Sequence, residues 1–100
     1  MKILVFGSNG LVGNSLKRRS VSMEGTHTFH FSTRTDTNLF SFNETSKIIR
    51  DFSPDVLINA AAKVGGINAN NTQRVEFLVE NLKINLNILE SCIPNNKIKI

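Results

Sequence analysis

Short apolar runs alternate with longer amphipathic segments along the whole chain. Each run is four to six residues long and bounded by turn-forming or polar residues, which is typical of strands. The first run is continuously apolar, as expected of a strand buried on both faces, and the second carries Phe29 and Phe31 on one face. The predicted strands are Lys2 to Phe6, His27 to Ser32, Val56 to Ala60 and Lys97 to Ile100.

Helices are predicted between these strands from apolar residues at helical spacing. The first runs from Leu11 to about Val21, with Leu11, Val12 and Leu16 facing inward. The segments predicted to be helical further along are Ser41 to Phe52 and Thr72 or Gln73 to about Cys92.

The boundaries of the later helices follow from local signals. Ser41 as N-cap and Glu44 three residues on have the spacing of a capping box, and Pro54 stops that helix. Its core-facing residues are predicted to be Ile48, Ile49 and Phe52. The long helix repeats apolar residues at helical spacing: Val75, Leu78, Val79, Leu82, Leu86 and Leu89.

The alternation of strand and helix with short connections predicts an α/β fold. Such a pattern is typical of a Rossmann-type, doubly wound parallel sheet with helices on both faces. We expect residues 1–100 to form one nucleotide-binding domain, incomplete at its carboxyl end. The predicted strand order is 3-2-1-4, which places a ligand crevice at the carboxyl ends of strands 1 and 4.

A glycine-rich turn joins the first strand to the first helix. Gly7 permits a tight turn, Gly10 lets a pyrophosphate approach the backbone, and Gly13 lets the helix pack closely on the sheet. The helix start then offers free N–H groups to an anion. The alternative is a turn that merely joins two elements. The predicted dinucleotide contacts here are Gly7, Ser8, Asn9, Gly10, Leu11, Val12 and Gly13.

The loop after the second strand indicates which dinucleotide is bound. An NAD site usually has a carboxylate at this strand end, whereas the chain has Arg34, a planar cation suited to a 2′-phosphate. NADP is therefore favoured, with a solvated arginine as the alternative. Asp36 remains an NAD-type acid if the strand runs longer, and Asn38 and Leu39 are expected along the adenine.

Composition narrows the remaining function classes. The net charge is +4, but the basic cluster Lys17–Arg19 has no interleaved aromatic residues, so we expect no nucleic-acid partner. The single cysteine, Cys92, suits a reducing cytoplasm and is expected in the core. His27 and His30 are expected as strand or surface residues, and we expect neither a metal site nor a membrane partner.

The segment after the third strand carries a family resemblance. It reads A-A-A-K-V-G-G-I-N-A-N-N from Ala60 to Asn71, and its small residues Ala60, Ala61 and Ala62 leave room for a dinucleotide. This segment, the T-R-T-D-T-N-L-F loop and the G-x-x-G-x-x-G spacing together resemble the GDP-L-fucose synthase family. That family belongs to the extended short-chain dehydrogenases/reductases, and the resemblance covers all 100 residues, about a third of a member.

The resemblance implies an NADPH-dependent enzyme that epimerises and then reduces GDP-4-keto-6-deoxymannose, a nucleotide sugar, and that forms a homodimer. It also implies roles for Lys63 at the substrate mouth and Asn81 in ordering the site, although a loop cation and a polar helix residue are the alternatives. Asn9 stands where members often carry a basic residue, which leaves NAD open.

Catalytic residues are not expected within these 100 residues. The superfamily acid is a tyrosine, and the chain contains none. The catalytic serine is expected just beyond the fourth strand. The chain therefore resembles the amino-terminal, NADP-binding portion of an epimerase-reductase. Alternatives are a non-catalytic NAD(P)-binding module, a related NAD-dependent sugar-nucleotide epimerase or dehydratase, and a structural protein that has lost its ligand, which the intact glycine loop disfavours.

Overall fold

The predicted alternation of strands and helices is confirmed. The computed structural model describes residues 1–23, 25–61, 71–95 and 97–100, with the main chain alone for 71–74. A short 3₁₀ turn, Val21–Met23, follows the first helix. The elements are β1 (Lys2–Phe6), α1 (Leu11–Ser20), β2 (Thr28–Ser32), α2 (Phe42–Phe52), β3 (Val56–Asn59) and α3 (Asn71–Cys92).

The strands form a parallel sheet in which β1 lies between β2 and β3. Ile3 stands opposite Phe29 on one side and Val56 on the other. Lys2 and Asp55 clamp the start of the β1–β3 pair, because Asp55 N–H donates to the Lys2 carbonyl and Lys2 N–H donates to the Asp55 carboxylate, each at 2.8 Å. Parallel pairing throughout confirms the predicted α/β class.

Helices cover both faces of this sheet. Side chains alternate along a strand, so Leu4 and Phe6 share one face while Val5 points to the other. Val5 is opposite Phe31 in register, and the Lys17 amine of α1 lies 5.9 Å from the Phe31 ring centroid, which places α1 on that face. The opposite face carries α2 and α3 around one core cluster: Leu4, Phe6, Leu39, Ile49, Leu57, Ile84, Ile88 and Cys92.

The strand order departs from the predicted 3-2-1-4. The third strand pairs with β1 on the side away from β2. Of the predicted fourth strand, Lys99 forms a parallel bridge to Val56. The order 3-2-1 requires α1 and α2 to share a face, but they lie on opposite faces. Because the crossover from β2 through α2 is right-handed and α2 lies on the opposite face from α1, the chain runs back past β1, and β3 is added on the other side of β1.

The first helix does not bury the residues expected of it. Leu11 and Val12 are 85% and 59% exposed, so the prediction that they face inward is wrong. They occupy the first turn of α1. Burial begins one residue later, at Gly13, and Leu16 is half-buried.

The second helix begins and ends as predicted. The Ser41 hydroxyl accepts from the Glu44 N–H at 3.2 Å, and Ser53 ends the helix in the left-handed region with φ of 51°. Ile49 is buried, and Ile48 and Phe52 pack against the core cluster, as expected. The capping box is only half formed, because the Glu44 carboxylate accepts from the Asn38 N–H at 3.3 Å.

The third helix buries a different stripe from its most regular apolar repeat. Ile84, Ile88 and Cys92 are at most 6% exposed, which confirms Cys92 as a core residue. The predicted apolar repeat instead forms an exposed face, each member being at least 43% exposed. We call this set the outer face of α3: Val75, Leu78, Val79, Leu82, Leu86 and Leu89.

Candidate functional site

A cavity of about 480 Å³ opens at the carboxyl ends of the three strands. This volume is within the range of small-molecule and cofactor sites. Its floor is apolar and its rim is mostly polar, and Arg34 is the one charged side chain among the described residues that line it. The lining residues are Phe6, Gly7, Asn9, Gly10, Ser32, Thr33, Arg34, Thr35, Thr37, Asn38, Leu39, Phe40, Ala60, Ala61 and Ile84.

The glycine loop forms one wall, and two of its glycines are required by close contacts. Gly7 has φ of +74°, and a Cβ there would lie 2.5 Å from the Ala61 nitrogen. A Cβ on Gly13 would lie 2.4 Å from the Gly7 carbonyl oxygen. Both distances are too short for any side chain, which agrees with the tight-turn and close-packing roles expected of these positions.

Gly10 is different because its missing side chain leaves open space. A Cβ there would meet only the Gly7 carbonyl oxygen, at 3.4 Å. Its N–H donates to that oxygen at 3.1 Å, and the Asn14 amide donates to the Asn9 carbonyl at 3.2 Å, so the loop is held from within. A ligand can therefore approach the Gly10 backbone from the cavity side.

α1 begins directly after the glycine loop and has no acidic residue in its first turn. The N–H groups of Leu11, Val12 and Gly13 precede the first intrahelical bond, from Asn14 N–H to the Gly10 carbonyl at 2.9 Å. The basic residues lie at the opposite end of the helix. Unpaired N–H groups and the helix dipole together favour an anion here.

Ser8 contributes a buried hydroxyl to the glycine loop. Its side chain is fully buried, and its Oγ has no hydrogen-bond partner among the described residues. Its N–H donates to the Ser32 carbonyl at 3.3 Å, which ties the loop to the end of β2. A buried hydroxyl without a partner is uncommon, but Ser8 is not among the residues that line the cavity.

The loop after β2 presents Arg34 to the cavity. The strand ends at Ser32 and does not run on to Asp36, and Asp36 does not line the cavity. Its carboxylate instead accepts from the N–H and hydroxyl of Thr33, at 3.0 and 2.9 Å. The condition for an NAD-type acid at Asp36 is therefore not met.

Asn38 and Leu39 both line the cavity and are held by neighbouring helices. The Leu39 side chain is 9% exposed and belongs to the core cluster, while its carbonyl accepts from the Asn87 amide of α3 at 2.8 Å. The Asn38 Oδ1 accepts from the Phe40 N–H at 3.1 Å. Phe40, 47% exposed, adds an aromatic edge to the cavity mouth.

The end of β3 forms the remaining wall. Ala60 N–H donates to the Phe6 carbonyl at 3.0 Å, and Ala61 N–H donates to the Asn59 side chain at 3.0 Å. The Asn59 amide in turn donates to Asn85 of α3 at 2.8 Å. Ala62 and Lys63, expected at the cofactor and substrate mouth, lie outside the described residues.

Several residues singled out by sequence lie away from the cavity. Four predicted dinucleotide contacts do not line it: Ser8, Leu11, Val12 and Gly13. His27 packs edge-on to Phe29, and His30 packs against Phe52 of α2, 5.3 Å between ring centroids. Among the described residues, no cluster of potential metal ligands occurs, and no helix is long and apolar enough to cross a bilayer.

Sequence reasoning missed the side chains that organise the site. Ser32 and Thr37 are buried and share a 2.7 Å hydroxyl hydrogen bond beneath the loop after β2. From α3, Asn85 bonds Asn59 at the end of β3 and Asn87 bonds the Leu39 carbonyl of the loop after β2. The sequence had indicated Asn81, a half-buried residue of the same helix. Neither Asn85 nor Asn87 belongs to a recognisable motif, so the sequence carried no signal for them.

Comparison with known proteins identifies a related family. Residues 3–99 match the model of the NAD dependent epimerase/dehydratase family. The GDP-L-colitose synthase of Yersinia pseudotuberculosis is 32% identical over 96 residues, covering 96% of this chain and 30% of the relative. The GDP-L-fucose synthase of Escherichia coli K12 is 33% identical over 103 residues, covering 99% and 30%.

A solved structure extends the comparison to three dimensions. The GDP-mannoheptose C4 reductase of Campylobacter jejuni, solved with NADP bound, is 27% identical with a TM-score of 0.80, covering 95% of this chain and 30% of that one. This chain therefore spans about 30% of the length of the relatives it matches.

Proposed function

The chain belongs to the NAD dependent epimerase/dehydratase family, and on that premise we propose that its cavity binds NADP(H). The observation that carries the proposal is one cavity walled by the glycine loop that leads into α1, with Arg34 as its charged lining residue among those described. NADP is also the dinucleotide in the related C. jejuni reductase.

The residues present fit a dinucleotide. Gly10 leaves its backbone open, and the first-turn N–H groups of α1 would receive the pyrophosphate. Asn38 and Leu39 would border the adenine, and Ala60 and Ala61 leave space at the end of β3.

Arg34 would read the 2′-phosphate that distinguishes NADP from NAD. Its guanidinium is exposed, lines the cavity and has no carboxylate beside it in the lining. A charge-assisted contact of this kind contributes about 1.5–3 kcal/mol. When bound, NADPH supplies the hydride for reduction of a ketone.

We further propose that the chain is the nucleotide-binding portion of an epimerase-reductase that converts GDP-4-keto-6-deoxymannose to GDP-L-fucose. The similarity to the E. coli GDP-L-fucose synthase supports this. A second candidate is reduction of another GDP-linked sugar, which the colitose synthase and the mannoheptose C4 reductase favour. A cytoplasmic setting, suited to the single cysteine, is proposed with it.

Titration with NADPH and NADH tests the cofactor proposal. The chain has no Trp or Tyr, so the fluorescence of the reduced nicotinamide is measured against little protein background. We expect Arg34→Ala to weaken NADPH binding by about tenfold or more and to leave NADH binding nearly unchanged. Arg50→Ala, at the end of α2, is the matched control. An equal loss for both dinucleotides would remove Arg34 as the phosphate reader.

An activity assay tests the assignment of these residues to binding alone. The superfamily acid is a tyrosine, and the 100 residues contain none. We therefore expect the chain by itself to show no oxidation of NADPH with GDP-4-keto-6-deoxymannose above the buffer rate. Measurable turnover by the pure chain would contradict this, since it requires an acid other than tyrosine.

A further inference from the structure

A single closed turn, Thr33–Thr37, connects β2 to the adenine side of the cavity. The N–H groups of Asp36 and Thr37 both donate to the Thr33 carbonyl, at 3.1 and 3.0 Å. Arg34 and Thr35 occupy the apex, and both line the cavity. The position of Arg34 therefore depends on what keeps this turn closed.

Asp36 closes the turn from the solvent side. One carboxylate oxygen accepts from both the N–H and the hydroxyl of Thr33, at 3.0 and 2.9 Å, and the Asp36 N–H donates back to that hydroxyl at 3.3 Å. The same two hydrogen bonds, first the backbone one, hold the pKa of the Asp36 carboxyl below its usual range. The charged carboxylate is thus the form that the turn binds.

A hydroxyl pair fixes the turn from beneath. Ser32 and Thr37 are 1% and 4% exposed, and their hydroxyl oxygens lie 2.7 Å apart. Since Ser32 also accepts from the glycine-loop Ser8 N–H at 3.3 Å, the base of the turn is tied to the opposite wall of the cavity. With its base fixed, the turn is closed by the two backbone bonds to the Thr33 carbonyl and by the Asp36 carboxylate.

We propose that Asp36 is a positioning residue for dinucleotide selection, which closes the Thr33–Thr37 turn so that Arg34 is held at the cavity mouth. This inference rests on the proposed NADP(H) site. Asp36 would then favour NADPH binding through the position of Arg34, although the negative charge of Asp36 would by itself repel the phosphate. Because Asp36 contacts the turn and does not line the cavity, substitutions can separate its effect on the turn from the effect of its charge.

Asp36→Asn and Asp36→Ala distinguish the geometric role from the charge. Asparagine keeps an acceptor oxygen for Thr33 and removes the charge, whereas alanine removes both. We expect Asp36→Ala to weaken NADPH binding by about five- to tenfold with NADH unchanged, and Asp36→Asn to bind NADPH as tightly as the unmodified chain or more tightly. Asp51→Ala, which removes an exposed acid on α2, is the control for net charge.

Other patterns of affinity would overturn the proposal. Tighter NADPH binding by both Asp36 variants would mean that the carboxylate acts only through repulsion. Weaker NADH binding by both would make Asp36 an NAD-type acid. Binding of both dinucleotides unchanged in Asp36→Ala would remove the positioning role and leave the NADP(H) site standing, whereas absence of binding by the unmodified chain would refute the site itself.

Amide hydrogen exchange reports on the turn without any ligand. We expect faster exchange at the Thr33 and Thr37 amides in Asp36→Ala and near-native exchange in Asp36→Asn, because only the first variant lacks an acceptor for Thr33. Unchanged protection in Asp36→Ala would show that the turn stays closed without the carboxylate, and would overturn the proposal whatever the dinucleotide affinities.

Discussion

At the scale of single residues, the glycine loop shows that one motif contains positions under different constraints. Gly7 and Gly13 are required by the fold, since a side chain at either would overlap backbone atoms. Gly10 is required only if something approaches from the cavity, because its side-chain position is open. Sequence spacing predicts all three as a unit, whereas the contacts separate packing from binding.

Substitution of Gly13 and Gly10 by alanine should separate stability from affinity. We expect Gly13→Ala to lower the free energy of unfolding by about 1–3 kcal/mol, because the Cβ forces α1 away from the loop. Gly10→Ala should cost less than about 1 kcal/mol, since Gly10 is an N-cap with open space. NADPH affinity should nevertheless fall in Gly10→Ala. Urea unfolding and nucleotide titration measure the two quantities, and equal destabilisation would contradict the distinction.

The thiol of Cys92 should report on folding. Burial raises its pKa, so less thiolate is present at neutral pH, and the side chain is 6% exposed. We expect reaction with an aromatic disulfide reagent to be much slower in buffer than in denaturant; similar rates would contradict the burial. The thiol pKa of Cys92 is higher in the folded than in the unfolded chain, so deprotonation at high pH favours unfolding. The free energy of unfolding should therefore fall as the pH rises from about 8.5, the usual thiol pKa.

At the scale of elements, local signals predicted where helices and strands begin and end. The Ser41 cap, the Pro54 stop and the apolar runs act over a few residues, so their effects are visible in sequence. The strand order was predicted wrongly because it depends on contacts between elements that are distant in sequence. The face of the sheet on which α2 packs depends on contacts with α3, and no periodicity within α2 encodes it.

The cap of α2 offers a test of element stability. Ser41→Ala removes the acceptor of the Glu44 N–H and should lower the free energy of unfolding by about 0.5–2 kcal/mol. Ser46→Ala, within the same helix, is the matched control, and its higher helix propensity should leave stability equal or greater. Chemical denaturation followed by circular dichroism measures both. A Ser46 variant as unstable as the Ser41 variant would show that the cap contributes little.

At the scale of the whole molecule, the residues that line the cavity were predicted better than the hydrogen bonds that hold its walls in place. Glycines and an arginine at the carboxyl ends of parallel strands are recognisable from spacing and element type. The supporting bonds join residues far apart in sequence, such as Asn87 to the Leu39 carbonyl and Asn59 to Asn85. Such pairs become visible only when the sheet order brings their elements together.

The outer face of α3 should make the chain associate with a second copy. Its apolar side chains form one continuous exposed stripe, and stripes of this kind on a small domain favour burial. We expect light scattering to give a mass above that of a monomer at high concentration, and Leu82→Lys with Leu86→Lys to restore the monomer. Val21→Lys, at an exposed site beyond α1, is the control. A monomer at every concentration would refute this.

The central position of β1 has a consequence for synthesis. Its partner β3 follows on the far side of α2, and the residues joined at their start, Lys2 and Asp55, are 53 positions apart. At about 5–20 residues per second, the ribosome needs roughly 3–10 s to make the intervening chain. Throughout that interval the most apolar strand has an unpaired edge, to which a chaperone or a neighbouring nascent chain can bind. β1 is thus enclosed on both sides only after β3 has been made.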